Sequence, residues 1–249
     1  MRDIHDYEIK YKEEPCETYQ VKYRRKKVLE LLKKNENKYI LEIGCGLEPL
    51  FQFYHDFKKM VIVEPSQNFV DNAKREARTY DGKIVCIQGF FEESVEEIKE
   101  LNIRFDYIVL SSLLHEVEKP KNLLKAIKQL CSENTILHVN VPNAYSIHRL
   151  LAKEMGIIQE VHEISELQQT MQRNSVFDIN TLSQILEECG YIVLEKGSYF
   201  PKFLSAKQME LMLKQGIVQE NIFDGLDQMI KYFPEYGSEI YIQAKRKIL

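Results

Sequence analysis

The stretch YILEIGCGLEP (39–49) decides the fold of this chain. Its first five residues, 39–43, predict a buried strand, and Gly44 and Gly46 follow that strand at once. Glycine permits a positive φ and allows backbone amides to come close to a ligand. Pro49 suits the first turn of a helix, where no backbone N–H is needed. The stretch therefore predicts a strand, a tight ligand-binding turn and the start of a helix.

Short apolar runs continue beyond this stretch and alternate with helical patterns. The runs are MVIVE (60–64), KIVCI (83–87), FDYIVL (105–110) and TILHVNV (135–141), and the helical patterns cover 50–57, 66–79, 93–101 and 119–131. Continuous β-branched runs between helices are typical of a parallel sheet that is covered on both faces. The chain is therefore predicted to form a doubly wound, Rossmann-like α/β fold.

An acidic residue, Glu64, ends the second predicted strand 18 residues after Gly46. At that place a carboxylate can accept hydrogen bonds from both ribose hydroxyls of a nucleoside. A dinucleotide site would have a third glycine where this chain has Pro49, and a P-loop would have Lys and Ser or Thr after the glycines. The pattern therefore predicts a nucleoside ligand that lacks phosphates.

The composition narrows the class of protein and its partners. Hydrophobic residues make up 44% and charged residues 29% of the 249 positions, which excludes a disordered or low-complexity chain. The formal net charge of −4 disfavours nucleic acid and anionic membranes as partners. No apolar run is long enough to predict a membrane span. Five scattered cysteines without CxxC spacing fit a reducing cytoplasm.

Three segments together resemble the class I S-adenosylmethionine-dependent methyltransferases: EIGCG (42–46), Glu64 and FDYIVLSSLLHEVEKP (105–120). The resemblance covers residues 38–141 well and the later strands more loosely. It implies a seven-stranded sheet whose last strand is antiparallel. It also implies S-adenosylmethionine as the cofactor and S-adenosylhomocysteine as the product.

The resemblance further implies which residues hold this cofactor. Its methionine moiety would contact Glu42, Gly44 and Gly46, and its ribose would contact Glu64. The other expected contacts follow strands two to four: Pro65, Gly89, Phe90 and Ser111. The family usually has another glycine where this chain has Glu48, whose carboxylate either crowds the cofactor or points outward.

Adenine recognition is expected after the third strand, where many members of the family have an acidic residue. This chain has Gln88 and Phe90 there, so the Phe90 backbone amide and an aromatic face would do similar work. The alternative is that Phe90 and Phe91 are simply core residues.

Candidate residues for the methyl acceptor follow strands four and five. His115 is the candidate catalytic base, because imidazole titrates near neutral pH; the alternative is that it orders its loop. Asn143 follows strand five, and the next helix would carry the remaining candidates, Tyr145, His148 and Arg149. These residues would seat an anionic group of the acceptor, or else lie on a solvated helix. No metal site is predicted.

The chain is interpreted as a single methyltransferase domain over residues 1–249. The predicted parts are an N-terminal helical lid over 1–37 with a helix at 16–34, a cofactor-binding core over 38–142, cap insertions over 143–190 and 197–237, and strands at 191–196 and 238–246. Helices near 205–215 and 221–232 are expected, because an insertion of 41 structureless residues would be improbable.

The resulting hypothesis is methyl transfer to N or O of a small polar metabolite. Residues 143–240 also resemble methyltransferases of bacterial surface-polysaccharide pathways, which suggests a phosphorylated amine such as ethanolamine phosphate, or a sugar precursor. The alternatives are an RNA or protein methyltransferase and a non-catalytic binding protein of the same fold. The sequence leaves the acceptor, the methylated atom and the oligomeric state open.

Overall fold

A computed structural model describes residues 18–34, 36, 38–164 and 174–248, together with Ile4. Most of the first half of the predicted lid, and residues 165–173 of the first predicted insertion, therefore lie outside the described residues.

Strands and helices alternate through the first half of the chain. The strands are β1 (Tyr39–Ile43), β2 (Lys59–Glu64), β3 (Ile84–Gln88), β4 (Tyr107–Ser111), β5 (Ile136–Pro142), β6 (Tyr191–Tyr199) and β7 (Glu239–Arg246). The helices are α1 (Thr18–Lys33), α2 (Gln67–Ala77), α3 (Phe91–Glu100), α4 (Pro120–Lys128), α5 (Ile147–Glu154), α6 (Ile179–Glu188), α7 (Ala206–Lys214) and α8 (Asn221–Gln228).

The seven strands form one sheet in the order β3-β2-β1-β4-β5-β7-β6. Strands β1 to β5 pair in parallel, whereas β7 is antiparallel to both β5 and β6. This confirms the predicted fold with an antiparallel last strand. Because β7 runs the opposite way, its first residue, Glu239, pairs with Pro142 at the end of β5 and with Tyr199 at the end of β6. The edge that carries the carboxyl ends of the parallel strands thus includes the beginning of β7.

The sheet is buried on both faces, as the continuous apolar runs predict. Leu41 and Ile43 of β1 face one side, where they pack with side chains of α3, α4 and α6. Ile40 faces the other side with Tyr107, among side chains of α1 and α2. Full burial of such a side chain contributes about 1.5–3 kcal/mol, so both layers hold the sheet in place.

The segment after the glycine turn differs from the prediction of a helix at 50–57. The structure has only a short 3₁₀ turn, Leu50–Gln52. The carbonyl of Phe51 accepts a hydrogen bond from the Tyr80 hydroxyl at 3.1 Å, so it is engaged outside a helical ladder. The apolar side chains of this segment are buried in the core, which explains why the spacing imitates a helix.

Helix α1 packs against the second predicted insertion on the β6–β7 side of the sheet. The ring of Tyr23 stacks on Phe200, with centroids 4.4 Å apart, and Tyr19 stacks on Phe223 at 3.8 Å. The Tyr23 hydroxyl donates to Asp224 at 2.6 Å. The predicted helices of this insertion are present as α7 and α8. No helix in the described ranges is long and apolar enough to cross a membrane.

Candidate cofactor and acceptor site

The turn after β1 has a left-handed backbone at both glycines. Gly44 has φ +77° and Gly46 has φ +58°, a region that side chains with a Cβ adopt at a cost. A Cβ on Gly44 would lie 3.2 Å from Cδ2 of Leu113. The Gly44 amide donates to the carbonyl of Val63 at 2.9 Å. The turn is therefore fixed against β2, and a side chain at position 44 would strain the backbone and press on Leu113.

The Glu42 carboxyl is buried below this turn. Its two oxygens accept the backbone N–H of Leu50 at 3.2 and 3.0 Å, which connects the strand to the far end of the turn. Burial raises the pKa of Glu42 to about 8, against the hydrogen bond from Leu50, and the neighbouring Glu64 charge acts in the same direction as burial. A cationic group placed beside Glu42 would favour the ionised carboxylate.

The Glu64 carboxylate is buried at the carboxyl end of β2. One of its oxygens accepts the N–H of Ser66 at 3.0 Å, and the other accepts the N–H of Gly46 at 3.3 Å. The acidic side chain is thus joined directly to the glycine turn, as the sequence spacing predicts. A carboxylate at this position suits recognition of ribose hydroxyls.

Glu48 is turned towards α1. Its side chain is exposed and pairs with Arg25, whose guanidinium also lies 3.6 Å from the ring centroid of Phe53. Of the two alternatives for this residue, the structure therefore favours the outward orientation.

A cavity of about 760 Å³ begins at the glycine turn, a size typical of small-molecule sites. Of the predicted cofactor residues, Gly44, Pro65 and Phe90 line it, together with Leu113. The other predicted cofactor residues lie outside its lining: Glu42, Gly46, Glu64, Gly89 and Ser111. Phe91 also lines the cavity, although it is buried and packs into the core on one side of the sheet.

These features fit an adenosyl group that carries a sulfonium. The turn brings backbone close to the cavity, a buried carboxylate ends β2, and the cavity has an aromatic wall at Phe90. Two hydrogen bonds hold the segment just before Phe90 against the end of β2. Gly89 donates its N–H to the Glu64 carbonyl at 3.1 Å, and the Gln88 side-chain amide donates to the Pro65 carbonyl at 3.4 Å.

His115 lies in a 3₁₀ turn, Leu114–Glu116, just after β4. Its side chain is buried, with Nε2 3.7 Å from a carboxylate oxygen of Glu116. Its carbonyl accepts the N–H groups of Asn174 and Ser175 at 2.9 and 3.0 Å. Glu116 and Asn174 both line the cavity. The backbone of His115 therefore orders a loop beside the site, and its role as a base remains a prediction.

Asn143 directly follows β5, and its side chain forms hydrogen bonds with neighbouring segments of the chain. Its side-chain amide donates to the carbonyls of Glu235 and Gly237 at 3.0 and 2.9 Å, and its oxygen accepts the N–H of Tyr145 at 3.0 Å. These bonds tie β5 to the segment that enters β7. The sequence predicted Asn143 at this edge as an acceptor-binding residue. In the structure, its side chain forms hydrogen bonds with backbone groups of the protein.

Tyr145 and Arg149 both contact the segment 161–163. The exposed Tyr145 ring lies edge-on to His162, with centroids 5.5 Å apart. Arg149 donates to the Val161 carbonyl from Nε at 3.1 Å and from Nη2 at 2.8 Å, and to the Glu163 carbonyl at 2.7 Å. The paired hydrogen bonds expected for a substrate anion are thus made to backbone carbonyls.

His148, the remaining predicted acceptor residue, has a different environment. Burial lowers its pKa well below the ordinary value, and the charges of Lys202 and Arg149 act in the same direction. Its imidazole is therefore neutral at physiological pH. Lys202 comes from the second predicted insertion, and no sequence signal paired it with His148.

Sequence reasoning also missed a buried network centred on Glu239. The carboxylate of this residue accepts hydrogen bonds from four side chains: Gln20, Arg24, Asn140 and Tyr199. The donors come from α1, β5 and β6, so the network joins the N-terminal helix to three strands at the carboxyl edge. A polar pattern in β7, SEIYIQ, was visible, but its partners are far away in the sequence.

Comparison with known proteins relates this chain to one family. The family model described as "Methyltransferase domain" matches residues 17–196, which is more than two thirds of the chain. A search of curated protein sequences finds no match.

Solved structures are similar in fold at low sequence identity. An S-adenosylmethionine-dependent methyltransferase from Clostridium acetobutylicum is 12% identical with a TM-score of 0.56, and the match covers 91% of this chain and 92% of that one. The [4+2]-cyclase SpnF is 12% identical with a TM-score of 0.57 and coverage of 90% and 81%. The N-methyltransferase NodS from Bradyrhizobium japonicum, in complex with S-adenosylhomocysteine, is 13% identical with a TM-score of 0.53 and coverage of 93% and 88%.

Proposed function

The chain belongs to the methyltransferase domain family and is an S-adenosylmethionine-dependent enzyme, and we propose that it methylates N or O of a small polar metabolite. The candidate acceptors are a phosphorylated amine such as ethanolamine phosphate, and a sugar precursor. The product of the cofactor is S-adenosylhomocysteine.

The packing of α1 on the second insertion is the observation that supports a small acceptor. Tyr23 and Tyr19 stack on aromatic rings of that insertion, and Arg24 of the same helix binds Glu239 at the sheet edge. A polymer substrate needs an open groove along the protein surface. We therefore place the acceptor where α1 and this insertion cover the strand ends, a position that suits a small molecule better than a polymer.

The cofactor supplies a methyl group on a sulfonium for in-line displacement, and the chain's residues position and enclose the reactants. Positioning of nucleophile and methyl carbon is the main contribution that a protein makes to such a step. The cavity offers apolar contacts at Phe90 and Leu113 against which the bound cofactor would pack. We assign His115 as the residue that takes a proton from the acceptor, because it follows β4 beside the cavity.

The reactions named for two structural neighbours differ, so methyl transfer by this protein has to be measured directly. NodS is an N-methyltransferase, which agrees with nitrogen as one candidate atom, whereas SpnF is a [4+2]-cyclase of similar fold. A shared fold does not specify a reaction, so the acceptor has to be found by experiment.

The experiment has two stages. Calorimetry first measures binding of S-adenosylmethionine to the protein and to the Glu64→Ala variant. The release of S-adenosylhomocysteine is then followed with phosphorylated amines, sugar nucleotides, a structured RNA and a protein extract as acceptors. We expect cofactor binding and release with a small acceptor only. Release that requires RNA or protein would contradict the proposal for the acceptor.

We also propose a reducing cytoplasm as the location. Cys45, Cys86, Cys131 and Cys189 are free thiols, and burial raises the pKa of Cys45 and Cys131, which keeps both in the unreactive thiol form. Labelling of the native protein with a thiol reagent should therefore modify these two cysteines only after unfolding.

A further inference from the structure

Two serine hydroxyls, one just before α5 and one just before β7, are buried without a hydrogen-bond partner among the described residues. They are Oγ of Ser146, which is 0% exposed, and Oγ of Ser238, which is 2% exposed. Backbone hydrogen bonds connect both serines to Asn143. The Ser146 N–H donates to the Asn143 carbonyl at 3.2 Å, and the Asn143 N–H donates to the Ser238 carbonyl at 3.0 Å. Two orphaned hydroxyls therefore lie on either side of one residue at the carboxyl edge of the sheet.

A third unpartnered atom belongs to the same region. Nδ1 of His148, two residues after Ser146, is also buried without a hydrogen bond to any described residue. A buried polar group that lacks a partner is rare in folded proteins, because its desolvation is not compensated. These unpartnered atoms at the carboxyl edge of the sheet therefore leave hydrogen-bonding capacity for a polar ligand.

Lys202 adds a cation to this region. The residue is buried, and its ammonium donates to the Gln20 side chain at 2.7 Å. It follows Phe200 by two residues, and the Phe200 carbonyl accepts the N–H of Ser238 at 3.0 Å. The same Gln20 side chain donates to Glu239, the residue after Ser238, at 2.9 Å, so the ammonium lies near the start of β7. We call these four residues the edge cluster: Ser146, His148, Ser238 and Lys202.

The chemistry of the edge cluster selects a class of ligand. Two hydroxyls, a neutral imidazole and an ammonium offer donors with one positive charge, a set that suits an oxyanion. Glu239 is adjacent to Ser238, but its carboxylate is neutralised by Arg24 and accepts three further side-chain donors. The Glu239 charge therefore does not dominate the field at the cluster.

We propose that the edge cluster binds an oxyanion, a carboxylate or a phosphate, of the methyl acceptor. This inference rests on the proposed function, which it deepens by naming the group that is recognised. It also moves the expected anion site from Arg149, which binds backbone carbonyls, to Lys202. The acceptor would be held by its acidic end beyond β5 and β7, with its nucleophile directed towards the cofactor.

The test uses the full chain saturated with S-adenosylhomocysteine. Inorganic phosphate and, separately, acetate are titrated while the histidine ring signals are followed by NMR, with His148 assigned through a His148→Gln variant. We expect a saturable shift of the His148 signal with at least one anion, and the stronger response distinguishes phosphate from carboxylate. Lys202→Met should weaken the apparent affinity at least tenfold, because it removes a charged donor.

Matched variants keep the test decisive. Lys207→Met, at an exposed lysine of α7, should leave the titration unchanged. Ser238→Ala deletes a hydroxyl without a partner, so it should fold as stably as the wild type and still weaken anion binding about threefold. It therefore carries the test if Lys202→Met fails to fold.

The possible outcomes separate this inference from the proposed function. Absence of a saturable His148 shift, or equal affinity in folded wild-type, Lys202→Met and Ser238→Ala proteins, would overturn the oxyanion site. So would efficient methylation of acceptors that carry no acidic group, although the enzyme would remain a small-molecule methyltransferase. A failure to methylate any small acceptor would count against the proposed function, while a Lys202-dependent anion shift would still support the site.

Discussion

Arg24 of α1 and Glu239 at the start of β7 are 215 positions apart in sequence and form a buried ion pair. The Arg24 Nε–H is 2.9 and 3.0 Å from the two carboxylate oxygens, and Nη2 donates to one of them as well. The pair lies where β5, β6 and β7 meet, beneath the helix that closes the proposed acceptor site. The position of α1 therefore depends on a residue near the other end of the chain.

Removal of the negative partner should destabilise the protein strongly. Glu239→Gln leaves the Arg24 guanidinium buried without its counter-charge, a change that typically costs about 3–5 kcal/mol. Urea unfolding followed by circular dichroism would measure this loss, with the exposed Glu133→Gln as the control. Equal unfolding midpoints for the two variants would contradict a stabilising role of the pair.

The same carboxylate should make stability depend on acid pH. Burial by itself raises the pKa of Glu239, but the charge and hydrogen bonds of Arg24, with those of Tyr199 and Gln20, hold it below the ordinary value. The stabilisation is therefore present above the pKa of the unfolded chain and is lost as the pH falls through the lowered pKa. Between pH 5 and pH 3, the wild type should lose more free energy of unfolding than Glu239→Gln. Parallel losses would argue against the lowered pKa.

Glu64→Ala should weaken S-adenosylmethionine binding at least tenfold. A hydrogen bond to a charged group contributes about 1.5–3 kcal/mol, and 1.4 kcal/mol corresponds to a factor of ten. The variant also removes the acceptor for the Gly46 N–H, which loosens the turn. Titration calorimetry is the measurement, and Glu76→Ala on the exposed face of α2 is the control. Unchanged affinity in Glu64→Ala would remove Glu64 from the cofactor site.

Gly44→Ala should weaken cofactor binding about tenfold while the fold persists. The new Cβ would meet Leu113 at 3.2 Å on a backbone with φ +77°, and the left-handed region costs a non-glycine residue about 1–2 kcal/mol. Gly225→Ala is the matched control, because a Cβ there meets nothing within 4 Å and alanine favours the helix α8. Calorimetry and circular dichroism together decide the outcome. Normal binding by Gly44→Ala would show that the turn tolerates a side chain.

Because of the buried Glu42 carboxyl, the free energy of unfolding should fall as the pH rises. With its pKa raised to about 8, the folded protein keeps a proton that the unfolded chain releases near pH 4.5. The free energy of unfolding should therefore fall by about 1.4 kcal/mol per pH unit between these values, relative to Glu42→Gln. Urea unfolding at pH 5, 6, 7 and 8 measures this slope. A difference between the two proteins that is independent of pH would refute a raised pKa.

His115→Ala should lower kcat more than the cofactor affinity. If His115 takes the proton of the acceptor, the loss should be largest at pH values where the acceptor is still protonated. The pH profile of kcat distinguishes this role from ordering of the loop, which would lower activity equally at each pH. A flat ratio of wild-type to variant rates would assign His115 to the loop.

Local patterns in the sequence were sufficient for the fold and for the position of the glycine turn. Apolar runs and helical periodicity predicted the parallel strands, because burial on both sheet faces requires those patterns. The turn at Gly44 and the acid at Glu64 were visible as well, since each is specified by residues next to a strand end. The prediction of a helix at 50–57 was wrong, because the apolar side chains there enter the core from an irregular segment.

Only the tertiary structure decided which distant side chains meet at the carboxyl edge. The Arg24–Glu239 pair, the Lys202–Gln20 hydrogen bond and the hydrogen bonds from Arg149 to Val161 depend on sheet order and on the antiparallel entry of β7. A hydrophobic period of two or 3.6 residues indicates which face of a strand or helix is buried, but it does not indicate which other element packs on that face. The glycine turn was therefore predictable from neighbouring residues, whereas the edge formed by α1, β5, β6 and β7 is assembled only after the chain has folded.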